Sequence, residues 1–196
     1  VTDEIYDQIL YDGRRHQPPG GLDPLQDRTV TIGGLGKTFA ITGWRLGYTI
    51  APDKLTAALR QVHDFLTICA PTPLQVAAVT ALNLGQDYYD SMMSEYHERR
   101  LMMMDILKRF GFMARIPEGS YYVLADYRNI PVAQSGWDST RFAMWMLEQI
   151  GVAVLPGTVF FSLPGYGTRC VRFAFPKKLE TLSAAGERMI NIQNSG

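Results

Sequence analysis

A lysine at the end of a glycine-rich turn is the residue whose setting points most directly to chemistry. The turn G-G-L-G-K at 33–37 lies between two short apolar runs, 28–32 and 44–50, that are typical of buried strands. Lysine usually lies on a solvated surface, and a tight turn after a buried strand is seldom such a place. Because several kinds of cofactor site combine a strand, a glycine turn and a lysine, this pattern alone leaves more than one kind of site open at Lys37.

Two common phosphate-binding turns are excluded residue by residue. A P-loop needs a glycine five positions before Gly36, where this chain has Thr31. A dinucleotide-binding fingerprint that begins at Gly34 needs a glycine where this chain has Phe39. The turn therefore belongs to another kind of site.

Two charged residues elsewhere stand in positions where a ligand is a natural partner. Asp3 follows what reads as the end of a strand, and ligands of open α/β sheets gather at the carboxyl ends of parallel strands. Arg172 lies within the apolar strand predicted at 170–175, where a charge requires a partner. Asp3 could instead be a turn aspartate, and Arg172 could form a structural salt bridge.

The hydrophobic periodicity predicts a mixed α/β chain. Apolar residues recur at helical spacing in four segments and from Leu179 onward, whereas shorter apolar runs indicate strands. The predicted helices are 54–66, 73–84, 90–110 and 138–150, and the later strands are 121–125, 152–155 and 170–175.

The composition gives no reason to expect nucleic acid or a membrane as a partner. Lys plus Arg and Asp plus Glu both number 19, so the formal net charge is zero. Cys69 and Cys170 lack the spacing of a zinc site or a disulfide framework, and no apolar run reaches the roughly 20 residues of a spanning helix. We expect a cytoplasmic protein without a metal. Since the sequence opens at Val1 rather than Met, we also expect a piece of a longer chain.

The run G-K-T-F-A-I-T-G-W-R-L-G-Y at 36–48 resembles the cofactor-lysine signature of class I/II aminotransferases, which depend on pyridoxal phosphate. Five further stretches agree with this family in content and order. They are D-E-I-Y at 3–6, P-T-P-L-Q at 71–75, P-E-G-S-Y-Y at 117–122, G-V-A-V-L-P-G at 151–157 and V-R-F-A-F at 171–175. The stretches 63–75 and 171–178 look most similar to kynurenine, glutamine or methionine aminotransferases.

The resemblance implies a fold-type-I α/β enzyme, of which this chain is the carboxyl-terminal half. Residues 1–88 would be the later part of the large cofactor-binding domain, 89–110 a long interdomain helix and 111–196 the small α+β domain. The family is typically a homodimer, so self-association is expected.

The family pattern also implies a role for each candidate residue. Lys37 would form the reversible covalent link to the cofactor and later move the substrate's alpha proton. Asp3 would face the pyridine nitrogen, Tyr6 would donate to the phenolic oxygen and Arg45 would bind the phosphate. Arg172 would bind the alpha-carboxylate of the substrate.

The chain departs from many relatives beside the lysine. Gly34 and Gly36 stand where serine hydroxyls often contact the phosphate, so backbone N–H groups would have to contribute instead. His16, His63 and His97 match no catalytic role and are read as surface or supporting groups.

The implied reaction is amino-group transfer between a 2-amino acid and a 2-oxo acid. A cysteine-conjugate β-lyase would share every candidate residue, and pyruvate release from such a conjugate would distinguish it. The same residues are compatible with an aminotransferase-like sensor domain of a transcription regulator, and with a fragment that is inactive in isolation.

Overall fold

The computed structural model describes residues 1–194, without the side chains of residues 134, 135, 193 and 194. The described chain forms two compact units, the first covering Val1–Met93 and the second beginning at Ser94. The change from one unit to the other falls inside a single helix, Gln86–Phe110. The predicted division at residues 88 and 110 stays a prediction.

A three-stranded sheet forms the centre of the first unit. Strands β1 (Thr2–Asp3), β2 (Thr31–Gly34) and β3 (Gly47–Ile50) lie in that order. β1 pairs with β2 in parallel, and β2 pairs with β3 antiparallel. The carboxyl ends of β1 and β2 and the start of β3 therefore meet at one edge.

Both strands that flank the glycine turn begin later than the sequence predicts. Residues Gln26–Arg28 form a 3₁₀ turn, and β2 instead extends through the two glycines of the turn. Residues Thr42–Trp44 form another 3₁₀ turn, so β3 starts at Gly47. The connection between β2 and β3 therefore covers residues 35–46 and is longer than a tight hairpin turn.

Two glycines of β2 lie where side chains cover the backbone. A Cβ at Gly33 would overlap the ring of Tyr48, and a Cβ at Gly34 would overlap Cδ1 of Ile5. Many relatives have a serine where this chain has Gly34. A serine at this position would need the side chain of Ile5 to move, which gives the difference a physical cause.

Three helices follow β3 in the chain. The first two belong to the first unit, and the third passes from the first unit into the second. They are α1 (Asp53–Leu66), α2 (Thr72–Leu82) and α3 (Gln86–Phe110). Within the described structure no residue of α1 is buried, and α2 buries only Ala78. Large apolar side chains on this helix pair are therefore exposed.

The second unit is built on a four-stranded antiparallel sheet. Its strands are β4 (Met113–Ala114), β5 (Tyr122–Asp126), β6 (Leu155–Pro156) and β7 (Cys170–Ala174). They lie in the order β4-β5-β7-β6. Aromatic rings fill its core, and Tyr127 stacks on Phe142 with 3.9 Å between ring centroids. Burial of such rings is a large part of what holds a small domain together.

The helices of the second unit follow the predicted pattern with one irregularity. Helix α4 (Ser139–Trp145) continues as one π-helical turn, Met146–Ile150, and α5 covers Leu179–Asn194. Asp138 caps α4 by accepting a hydrogen bond from the backbone N–H of Arg141 at 2.8 Å. Among residues 1–194, no helix combines the length and the apolar character needed to cross a membrane.

Candidate functional site

Four of the five candidate residues line one cavity of about 470 Å³ in the first unit. Asp3 ends β1, Tyr6 follows it, Lys37 lies on the turn after β2 and Arg45 lies just before β3. The parallel pairing of β1 with β2 brings these separate segments to the same edge of the sheet. The cavity thus combines an amine, a carboxylate, a phenol and a guanidinium.

Lys37 is half-buried on a turn that backbone hydrogen bonds hold tightly. The N–H of Phe39 donates to the carbonyl of Leu35 at 3.1 Å, which closes one helical turn around the lysine. The N–H of Leu35 donates to the carbonyl of Leu46 at 3.3 Å, which ties the turn to the chain entering β3. The lysine is therefore presented from a fixed backbone.

Arg45 adopts a left-handed backbone conformation with φ of 57°. This conformation is uncommon for a residue other than glycine and often marks a functional position. Its guanidinium donates one hydrogen bond to the carbonyl of Thr42 at 3.0 Å. No further bond or ion pair of Arg45 occurs within residues 1–194, and the exposed group keeps N–H donors for an anion.

The carboxylate of Asp3 is exposed, and its Oδ1 accepts a hydrogen bond from the N–H of Ile5 at 3.2 Å. A turn aspartate would make the same contact. The hydrogen bond involves only Oδ1, and Oδ2 does not take part in it. Tyr6 is half-buried and comes from the turn that follows. Both side chains border the same cavity as Lys37.

A pair that sequence reasoning missed joins the buried Glu4, which follows β1, to the exposed His16. Oε2 of Glu4 is 2.6 Å from Nε2 of His16, and Oε1 accepts hydrogen bonds from Thr2 and Thr31. Burial alone raises the pKa of Glu4, but these hydrogen bonds and the charge of His16 lower it below its usual value. Successive residues of a strand point to opposite faces of the sheet. The succession of Asp3 and Glu4 was therefore the signal in the sequence that the two carboxylates face different sides.

Glu4 and His16 border a second cavity of about 670 Å³, which Tyr48 also lines. Burial raises the pKa of Tyr48, and the charges of Asp7 and Glu4 add to the effect. The ring of Tyr48 covers Gly33, and Gly33 borders both cavities. Asp3, Lys37 and Arg45 thus border the first cavity, whereas Glu4, Asp7 and His16 border the second.

Arg172, the fifth candidate, lies in β7 of the second unit, whereas the other four belong to the first. Its guanidinium carbon is 4.0 Å from the ring centroid of Tyr122 and 4.2 Å from that of Phe160. Contacts of this kind stabilise an arginine electrostatically and fix its plane. No carboxylate among the described residues of this unit pairs with it, so a structural salt bridge is absent there.

The fold and the residue set together define a class of protein. Residues 1–186 match the family model "Aminotransferase class I and II", and the chain therefore belongs to this family, whose members depend on pyridoxal phosphate. The structure agrees, because the solved structures that it resembles are fold-type-I aminotransferases.

Particular relatives differ in the amino acid for which they are named. The chain is 32% identical over 189 residues to methionine aminotransferase of Escherichia coli (strain K12), covering 96% of this chain and 48% of that protein. It is 34% identical over 202 residues to kynurenine--oxoglutarate transaminase 3 of Rattus norvegicus, covering 95% and 44%. The chain thus spans about half the length of the curated relatives it matches.

Solved structures give the same result. N-succinyldiaminopimelate aminotransferase from Mycobacterium tuberculosis superposes with a TM-score of 0.89 at 30% identity, over 97% of this chain and 48% of that one. Aromatic aminotransferase from Pyrococcus horikoshii OT3 superposes with a TM-score of 0.86 at 32% identity, over 98% and 50%. These enzymes are named for different amino acids, so the similarity does not select a substrate.

Glu4→Gln tests the pair formed by the buried Glu4 and His16. Because its folded-state pKa is lowered, the charged Glu4 adds stability that is present above the ordinary value of 4.5 and is lost as pH falls through the lowered value. At neutral pH we expect Glu4→Gln to reduce the free energy of unfolding by about 1–3 kcal/mol, and this deficit should shrink on acidification. Urea unfolding between about pH 7 and about pH 3 measures both effects.

The exposed Asp64 of α1 provides the control, since Asp64→Asn removes a carboxylate that is not buried. Its unfolding free energy should follow that of the unmodified protein across the pH range. A deficit in Glu4→Gln that does not shrink with acidification would contradict the role given to the Glu4 charge.

Proposed function

We propose that the protein carrying this chain is a pyridoxal-phosphate-dependent aminotransferase that transfers an amino group between a 2-amino acid and a 2-oxo acid. The observation that carries the proposal is the single cavity lined by Asp3, Tyr6, Lys37 and Arg45. Membership of the class I and II aminotransferase family supports the same conclusion.

The residues around the cavity fit the chemical groups of pyridoxal phosphate. Its aldehyde requires an amine, its ring nitrogen a carboxylate and its phosphate a cation with N–H donors. Lys37, Asp3 and Arg45 supply these groups, and Gly33, Gly34 and Gly36 border the same cavity. The volume of about 470 Å³ lies within the range of small-molecule sites.

When bound, the cofactor supplies a ring that accepts the electron pair left on the substrate's alpha carbon. Lys37 would hold the cofactor through its amine and, once freed by the substrate amine, would take the alpha proton as a base and pass it on as an acid without returning it to the alpha carbon. Asp3 would keep a proton on the ring nitrogen, and Tyr6 would donate its hydroxyl hydrogen to the phenolic oxygen. Arg45 would bind the phosphate through paired N–H groups.

Arg172 is proposed to bind the alpha-carboxylate of the substrate. A guanidinium matches a carboxylate with two parallel hydrogen bonds, which fixes the direction of the bond to be broken. The rings of Tyr122 and Phe160 contact the guanidinium without consuming its N–H donors. Recognition of the carboxylate common to all amino acids is therefore assigned to this residue.

Lys37→Ala tests the cofactor assignment. Loaded with pyridoxal phosphate, the intact protein should show the visible absorption of the lysine-bound cofactor and should form a 2-oxo acid from an amino acid. The variant should lose the band and should lose activity by at least about 1,000-fold, because both the covalent link and the base are gone. Absorption spectra and a 2-oxo acid assay measure these losses.

Lys54→Ala is the matched control, since Lys54 is an exposed lysine in the first turn of α1. It should keep the band and the activity. An unchanged spectrum in Lys37→Ala would overturn the assignment.

Arg172→Leu tests substrate binding. Loss of the paired charge should raise the KM for the amino acid by about 30-fold or more, while the visible band of the bound cofactor is kept. Arg141→Leu is the control, because Arg141 also lies over a ring, at 4.7 Å from Trp137. Equal KM values for the two variants would show that Arg172 does not bind the carboxylate.

We propose further that the protein is a homodimer that uses the exposed face of α1 and α2. Phe65 is 94% exposed, and further apolar side chains of the same two helices are also accessible, namely Val62, Leu66, Val76, Val79 and Leu82. Large apolar side chains exposed in this number are typical of an interaction surface. The second copy is the occupant that the family's usual assembly favours.

Phe65→Ser should weaken self-association of the intact protein by about tenfold, because a large apolar side chain at an interface contributes strongly to binding. Leu101→Ser, at an exposed leucine of α3, serves as the control and should leave association unchanged. Sedimentation velocity over a dilution series measures the association constant. A protein that sediments as a single chain before mutation would contradict the dimer.

A further inference from the structure

A long-range hydrogen bond holds the residue that follows Lys37. The hydroxyl of Tyr88, in the first turn of α3, donates to the backbone carbonyl of Thr38 at 2.7 Å across 50 positions of sequence. Thr38 is only 4% exposed, and a buried carbonyl is costly to leave without a partner. The contact therefore fixes the downstream end of the lysine turn from a separate element.

Ring packing supports the same contact. The ring of Phe39 stacks on that of Tyr88, with 5.6 Å between centroids and 24° between planes. Tyr89 meets both rings edge-on, at 5.6 Å from Tyr88 and 6.3 Å from Phe39. Two successive residues of the turn, Thr38 and Phe39, are thus held by one tyrosine, the first through its carbonyl and the second through its ring.

The upstream end of the turn is held differently. Leu35 is tied to Leu46 through the backbone, and Gly36 lies against Thr42, whose Cα would be 3.2 Å from a Cβ at position 36. These contacts belong to the sheet and its connection, whereas Tyr88 belongs to the helix that begins 49 positions after Lys37. The amine of Lys37 can keep its place on the cavity only if both ends of its turn are fixed.

We propose that Tyr88 is a positioning residue for Lys37 and acts through the carbonyl of Thr38. The inference rests on the proposed role of Lys37 as the cofactor-binding amine. Without the hydroxyl of Tyr88, the turn samples other conformations, and the fraction that presents the amine to the cavity falls. Apparent affinity for a ligand of that amine falls by the same fraction.

The test measures covalent capture of pyridoxal phosphate at Lys37 in the intact protein. The lysine amine condenses with the aldehyde and releases water, and borohydride then delivers a hydride that reduces the C=N link to a stable amine. Peptide mass spectrometry gives the labelled fraction at Lys37 against the cofactor concentration. Labelling of the exposed Lys54 in the same sample measures how fast pyridoxal phosphate reacts with a lysine that no cavity positions.

Tyr88→Phe keeps the ring that stacks on Phe39 and removes only the hydroxyl. Half-labelling of Lys37 should then need about fivefold more pyridoxal phosphate, the factor that corresponds to one net hydrogen bond, while Lys54 is labelled as before. Hydrogen exchange of a peptide covering residues 36–40 should rise in the same variant. This second measurement follows the turn without any cofactor.

Tyr89→Phe is the matched control, because Tyr89 belongs to the same ring cluster and its hydroxyl makes no hydrogen bond within the described chain. Its labelling at Lys37 should stay at the original level. Equal labelling in the two variants, or unchanged exchange at 36–40 in Tyr88→Phe, would overturn the positioning role. Failure of Lys37 to label before mutation would instead reject the cofactor assignment itself.

Discussion

The parallel pairing of β1 with β2 is the constraint on which the candidate site depends. Asp3 pairs with Ile32, so the end of β1 lies beside the stretch of β2 that leads into the lysine turn. A carboxylate and an amine 34 positions apart thereby border one cavity. An antiparallel pairing of the same two segments would have sent the chain after β1 away from that turn.

Glycine and left-handed backbone make this arrangement physically possible. Gly33 and Gly34 let Tyr48 and Ile5 cover the two faces of β2, and Arg45 turns the chain back into β3 with φ of 57°. A non-glycine residue in that region carries a conformational cost, and the surrounding contacts must offset it. The hydrogen bond from Nη1 of Arg45 to the carbonyl of Thr42 is one such contact, and it also orients the guanidinium.

The sequence was sufficient to predict local structure where neighbouring residues in the chain determine it. The predicted helix at 54–66 differs from α1 by one residue, whereas the predicted turn at 33–37 loses Gly33 and Gly34 to β2. Contacts between distant segments were not visible to such reasoning. His16, read as a surface or supporting group, is exposed, but its partner Glu4 lies 12 positions away, and the contact of Tyr88 with Thr38 joins residues 50 positions apart. The start of β3 was misplaced because Arg45 adopts a conformation that favours glycine.

Arg172 shows why a charged residue in a core strand is informative even when its ligand is unknown. Its register neighbours in the sheet are Leu124 and Leu155, which offer no charge. Two aromatic rings compensate part of the cost of burial, since their faces attract the cation but form no directional bond with its N–H groups. A salt bridge would have satisfied those groups within the protein. An aromatic environment instead keeps the charge and the donors for an external anion, which is the property a carboxylate-binding arginine requires.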